Sequence, residues 1–142
     1  MLVSTKGRYA LRVMIDLAEH RAAGRTPLKE IAQRQNISEK YLENILATLV
    51  RAGKLSGMRG KGGGYILTKA PDQYTVGEIL RLTEGTLAPV ACLEGDCSGC
   101  ERANECPTLD MWKGLDKLIN EYLDGITIED LTGGSAEYDY VI

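Results

Sequence analysis

Residues 54–68 read KLSGMRGKGGGYILT. Apolar and polar residues alternate at both ends, and Gly57, Gly60, Gly62, Gly63 and Gly64 surround Arg59 and Lys61. Alternation, a glycine-rich tip and alternation again predict a β-hairpin. A glycine-rich loop with two cations can lie along a phosphate chain or enter a minor groove. The glycine run also suggests a nucleotide phosphate loop, but there is no GxxxxGK[ST] and no helix follows.

Upstream of the hairpin the apolar period is helical. Residues 38–53, SEKYLENILATLVRAG, place Tyr41, Leu42, Ile45, Leu46, Leu49 and Val50 on one stripe, with Ser38 as N-cap and Gly53 as stop. Before it, PLKEIAQRQN (27–36) opens at Thr26-Pro27 and breaks at Asn36-Ile37. A first helix over about residues 5–22 starts at a Ser4 cap and carries Tyr9, Ala10, Val13, Met14, Leu17 and Ala18 as its stripe. Lys6, Arg8 and Arg12 lie off that stripe, and His20, the single histidine, sits near its end as a cation at a helix C-terminus. Two short helices joined by a tight break match a helix-turn-helix, and equally an ordinary αα-hairpin. The hairpin that follows decides for a winged helix-turn-helix.

Downstream, YTVGEILRLTEG (74–85) predicts a fourth helix. All four cysteines then fall within CLEGDCSGCERANEC (92–106), spaced C-x4-C-x2-C-x5-C. After Pro107, TLDMWKGLDKLINEYLD (108–124) predicts a long helix with a broad apolar stripe, suited to a dimer interface or to folding back on its own core. The expected interface residues are Met111, Trp112, Leu115, Leu118, Ile119 and Tyr122. Residues 127–131 read as one more helical turn, and 132–142 as a flexible tail.

The chain has 142 residues, enough for a core without staples. No apolar run approaches a membrane span and no apolar leader opens the chain, so no membrane partner and a cytoplasmic location are expected. The formal charge of −3 hides a division. Residues 1–69 carry 13 Lys and Arg against 5 Asp and Glu, whereas 70–142 carry 4 against 15. A basic half joined to an acidic one is expected where one half meets phosphate. One histidine and no nucleophile–base spacing argue against an enzyme and a small-molecule substrate.

In a reducing compartment clustered cysteines point to a metal rather than to disulfides. Thiolates suit iron–sulfur clusters, zinc or copper(I). C-x4-C-x2-C is also the opening spacing of plant-type 2Fe–2S ferredoxins, while zinc sites usually pair two short C-x2–4-C units. An iron–sulfur cluster is therefore placed first, as 2Fe–2S, with 4Fe–4S and zinc as alternatives. Glu94, Asp96, Glu101 and Glu105 around it would lower its reduction potential.

STKGRYA (4–10), ISEKYLENIL (37–46) and RGKGGGYIL (59–67) resemble the Rrf-two family of bacterial winged-helix regulators. VGEI (76–79), the cysteine loop, the Trp112 helix and ITIEDL (126–131) are similar to it too, over about residues 1–131. The cysteines resemble the iron–sulfur cluster regulator branch, IscR-like. That resemblance implies three cluster ligands, Cys92, Cys100 and Cys106. Where one branch has a ligating His this chain has Leu109, and where another has an acidic residue it has Arg8. Cys97 is the candidate fourth ligand, with Glu94, Asp96 and Asp110 weaker ones.

The chain is thus expected to be mainly α with a small β-hairpin wing. Its expected parts are a winged helix-turn-helix DNA-binding domain (1–85), a cluster-binding loop (86–107), a dimerisation helix region (108–131) and the tail. Ser38, Lys40, Tyr41, Glu43 and Asn44 head the expected reading helix. Arg59 and Lys61 belong to the wing, and Lys6 and Tyr9 are expected phosphate contacts. Glu43 can accept from cytosine N4. The expected function is a homodimeric redox-sensing regulator or repressor on a palindromic double-stranded operator, controlling cluster-biogenesis genes. A nitric-oxide- or iron-responsive repressor and a small iron–sulfur electron carrier are the alternatives, and the basic wing counts against the carrier.

Overall fold

Two serine oxygens start the helices that matter most. Ser4 Oγ accepts from the Gly7 amide at 3.1 Å and opens α1, Thr5–Glu19. Ser38 Oγ accepts from the Tyr41 amide at 3.2 Å and opens α3, Glu39–Arg51. Each bond satisfies one amide that the first turn leaves without a partner, worth about 1 kcal/mol. Between them lies α2, Leu28–Gln35, closed by Asn36 in the left-handed region at φ 54°. Asparagine tolerates that conformation better than other side chains with a Cβ, and the bend sends the chain into α3. The computed structural model describes residues 3–94 and 105–133.

The first helix is shorter than its periodicity predicts. At His20 the ring turns back, its Nδ1 2.8 Å from the Asp16 carbonyl. A tighter 3-10 turn, Arg21–Ala23, then uses the last carbonyls. The second helix starts at Leu28 because Thr26 is engaged elsewhere: its amide donates to the Tyr65 carbonyl at 3.0 Å, and its own carbonyl accepts from the Tyr65 amide at 2.9 Å.

Strands β1, Leu55–Met58, and β2, Gly64–Leu67, pair antiparallel from Leu55 with Leu67 to Met58 with Gly64. Thr26 adds a one-residue third strand beside β2. Gly64 makes this possible: at φ 130° it lies against the Thr26 carbonyl, where a Cβ would have no room. Tyr74, wholly buried, anchors the base of the hairpin. Its hydroxyl donates to the Lys54 carbonyl at 2.8 Å and accepts from the Thr68 and Lys69 amides at 2.9 and 3.0 Å.

Helix α4, Val76–Glu84, begins with a reciprocal cap in which Thr75 and Glu78 bond each other's backbone amides. It packs along α1, and Glu84 accepts from both the amide and the hydroxyl of Ser4 at 2.9 and 2.7 Å. The main core joins Ala10, Val13, Met14 and Leu17 of α1, Ile31 of α2 and Leu42, Ile45, Leu46 and Leu49 of α3 to Tyr74, Ile79 and Ile128. Each fully buried aliphatic side chain contributes about 1.5–3 kcal/mol. A smaller cluster of Val76, Leu80 and Leu87 receives Ile119 and Leu123 of α5, Leu109–Asp124. The chain is mainly α with a hairpin wing, as its periodicity predicts. The tail from 134 onward lies outside the described residues.

Candidate nucleic-acid interface and cysteine loop

The head of α3 and the start of α1 come together at the surface. Lys6, Ser38, Lys40, Tyr41 and Asn44 line one groove of about 500 Å³, floored by Ile45. Five of the residues singled out as DNA contacts therefore share one place, although 32 positions of chain separate Lys6 from Ser38. The α3 N-terminus adds its own partial positive charge there. Tyr41 is 39 % exposed and stays out of the core that Leu42 and Ile45 enter. Its ring meets Tyr9 edge-to-face, centroids 5.8 Å apart at 75°.

A second, smaller groove of about 220 Å³ runs between α3 and the wing, and Glu43 and Arg59 both line it with Tyr65 and Val50. An acceptor and a donor facing one channel form a set able to read base edges. Lys61 is exposed at the tip of the hairpin. Arg25 ties the wing to the body, donating to the Ser56 carbonyl at 3.0 Å and to the Ser56 hydroxyl at 3.2 Å.

Tyr9 leads from the first groove to a polar chain that the sequence reading missed. Asp16, 1 % exposed, accepts from Arg34 Nε and Nη2 at 2.9 and 2.7 Å and from Gln35 Nε2 at 2.9 Å. The bonded Asp16 carboxylate raises the Arg34 guanidinium above its ordinary value. Arg12 donates to Gln35 Oε1 at 3.1 Å and to the Gln35 carbonyl. The same guanidinium lies 4.9 Å above the Tyr9 ring centre. The only trace in the sequence is an acidic residue placed between Val13 and Leu17 of an apolar stripe.

The cysteine loop is described at its two ends. Cys92 sits in a 3-10 turn, Ala91–Leu93, that packs against α5. Cys106 lies just ahead of α5, its Sγ 3.4 Å from Thr108 Oγ1. Both are free and half-buried. The Thr108 hydroxyl holds the Cys106 thiol below its ordinary value, which favours thiolate. Cys97, Cys100 and Asp96 lie outside the described residues. Among the described residues no three potential ligands gather at one point. Leu109 opens α5, and Arg8 donates to Thr5 Oγ1 at 3.2 Å; neither offers a metal a donor.

On α5 the expected interface residues divide. Met111, Leu115, Leu118 and Tyr122 are exposed by 55, 39, 65 and 70 %. Trp112 is half-buried, and Ile119 turns inward onto the Val76–Leu80–Leu87 cluster. Among the described residues no helix is long and apolar enough to cross a membrane.

The family model that matches residues 3–134 is Rrf2, described as an iron-dependent transcriptional regulator. The transcriptional regulator CymR of Bacillus subtilis is 42 % identical over 131 residues, 92 % of this chain and 89 % of that protein. A solved structure of CymR, the global cysteine regulator of B. subtilis, superposes with a TM-score of 0.76 at 39 % identity, covering 98 % of this chain and 99 % of that one. The structure of T. potens IscR gives 0.73 at 36 % identity, covering 100 and 92 %. The regulator IscR of Aliivibrio salmonicida is 37 % identical over 131 residues, 92 % of this chain and 77 % of that protein.

Proposed function

The chain belongs to the Rrf2 family and is a winged-helix transcription regulator rather than an enzyme, and on that premise we propose that it is a dimeric, cytoplasmic DNA reader governed by an iron–sulfur cluster. The observation that carries the DNA contact is the groove at the head of α3, where Lys6, Ser38, Lys40, Tyr41 and Asn44 meet. Lysines there neutralise phosphates, while Asn44, Glu43 and Arg59 are free to discriminate base edges. Arg59→Ala is expected to cost about 1–3 kcal/mol on a specific duplex, and Lys61→Ala to reduce the salt slope by about one. Fluorescence anisotropy across a salt series measures both. Unchanged affinity and slope would remove the wing from the contact.

Dimerisation is supported by the outward face of α5. Met111, Leu115, Leu118 and Tyr122 are spaced four, three and four residues apart, the spacing of a helix–helix seam. A two-fold pair of reading helices calls for an imperfectly palindromic operator.

For the cluster, the donor set fits by its chemistry. Cys92 and Cys106 are soft donors at the two ends of one loop, and Thr108 favours the thiolate of the second. Cys92, Cys100 and Cys106 would hold the cluster, with Cys97 as fourth candidate and Glu94 or Asp110 behind it. When bound, a 2Fe–2S group would supply a redox-sensitive centre in the approach to α5. The packing of the Cys92 turn on α5, of α5 on α4 and of α4 on α1 supplies a continuous path from that loop to the reading groove. Control of cluster-biogenesis genes, or a response to nitric oxide or iron, would run through this path. A second reading, regulation of cysteine metabolism without a cluster, is favoured by the 42 % identity to CymR.

Anaerobic purification followed by visible spectroscopy and iron and sulfide analysis separates the two. A coloured protein that bleaches in Cys92→Ala, Cys100→Ala and Cys106→Ala supports the cluster. Loss of colour in Cys97→Ala as well would make the site all-thiolate. A colourless protein that still binds a specific duplex favours the second reading, and one holding a single zinc would discard the cluster.

A further inference from the structure

The packed core sets the axis of α3, because Leu42, Ile45, Leu46 and Leu49 are all within it. It does not set what stands at the head of that helix, where Tyr41 is exposed and its ring meets that of Tyr9. The Arg12 guanidinium lies in turn over the Tyr9 ring. A planar guanidinium stacked on a ring has its in-plane N–H groups free, and here Gln35 takes two of them, one through its side chain and one through its carbonyl. The Gln35 amide cannot rotate away, because its own N–H₂ donates to Asp16 at 2.9 Å. Asp16 is fixed by burial and by the two-pronged bond from Arg34.

We infer that Asp16, Gln35 and Arg12 are positioning residues for DNA recognition, acting through Tyr9 to hold Tyr41 against the groove that Lys6, Ser38, Lys40 and Asn44 line. The inference rests on the proposed DNA reading of that groove and names what keeps it in shape. From Asp16 through Gln35 to Arg12 the links are hydrogen bonds and from Arg12 through Tyr9 to Tyr41 they are ring contacts, so the route from the buried carboxylate to the exposed tyrosine is continuous. Asp16 and Arg12 come from α1, Arg34 and Gln35 from α2, and Tyr41 from α3. The network therefore registers three helices at the point where the DNA backbone would meet them. An exposed Tyr41 without this backing would sample several rotamers, and the groove would lose its defined mouth.

Gln35→Met tests this without changing net charge. Asp16 keeps both Arg34 bonds in that variant, and the methionine fills the same space. A duplex is first selected from a random-sequence library with the wild-type chain. Affinity for it and for a scrambled duplex is then measured by anisotropy across salt, beside the thermal midpoint. The expected result is a five- to tenfold loss on the selected duplex, with scrambled binding and salt slope unchanged and a midpoint close to wild type. Arg12→Lys keeps the charge but not the planar, two-pronged geometry, and should show the same split; it serves if Gln35→Met fails to fold. Equal losses on both duplexes, or selected-duplex affinity within twofold of wild type, would overturn the positioning role. A wild-type chain that selects no sequence would instead strike the DNA reading itself.

Discussion

Helices α1 and α5 are nearly the same length, 15 and 16 residues, and both are amphipathic. They differ in what covers them. Seven residues of α1 are buried, from Gly7 to Ala18, whereas α5 has none. The chain wraps α1 with α2, α3, α4 and β2. It gives α5 the Val76–Leu80–Leu87 cluster and the Cys92 turn, and leaves Met111, Leu115, Leu118 and Tyr122 facing out. The lesson is that an apolar stripe measures demand for cover without saying who supplies it. For α1 the supply is internal. For α5 a second copy is the proposed source.

Truncations on the two helices should separate these cases, beginning with the larger effect. Met14→Ala removes a wholly buried side chain of α1 and should cost about 2–5 kcal/mol, measured by urea unfolding and independent of protein concentration. Leu118→Ala on α5 should cost almost nothing within one chain and about 1.5–3 kcal/mol per protomer through assembly. Sedimentation should then show more monomer on dilution, and Trp112→Ala should act in the same direction. A wild-type chain sedimenting as a monomer at micromolar concentration would break the contrast.

The smallest effect concerns how α5 is pinned at its far end. Arg81 Nη1 and Nη2 each reach Asp124 at 2.9 Å, and Nη2 also reaches Asn120 at 2.6 Å. Gly77 leaves room for that carboxylate, which a Cβ would displace. The hydrogen-bonded Arg81 holds Asp124 below the usual carboxylate range. A depressed folded value means the stabilisation is present above the unfolded value of about 3.9 and fades as pH falls through the folded one. Both groups are more than a third exposed, so Asp124→Asn should cost under ~1 kcal/mol at neutral pH. The difference from wild type should vanish under strong acid, where both states bind the proton. A difference that persists there would assign the effect to packing instead.

What the sequence made legible was local. Ser4, Ser38 and Gly53 mark helix ends by short-range chemistry, and residues 54–68 announce their hairpin by alternation and glycine. The third strand escaped notice because one residue, Thr26, has no period to detect. Asp16 escaped because hydropathy places an acid outside, and only the meeting of α1 with Arg34 and Gln35 of α2 makes its burial tolerable. At the candidate site, Lys6, Ser38, Lys40, Tyr41 and Asn44 were singled out by position and line one groove, but Arg12 and Gln35 are inferred to act through other side chains and carry no motif. The division of α5 into inward Ile119 and outward Leu118 is fixed by where α4 lies, which a helical stripe alone leaves open.

Ile128 has a consequence for how the chain is made. It is wholly buried with residues of α1 and α3, its amide bonded to the Tyr74 carbonyl at 3.0 Å, and Thr127 bridges to Thr75. Helices α1 to α4 leave the ribosome before it, yet their core lacks this side chain until Ile128 has been added and has cleared the exit tunnel. From the end of α4 at Glu84 that is roughly two to nine seconds of synthesis at ~5–20 residues per second. During that interval the nascent winged helix is incomplete, and the cysteine loop emerges while it still is. Emergence of the cysteine loop and closure of the core thus fall in a fixed order during translation.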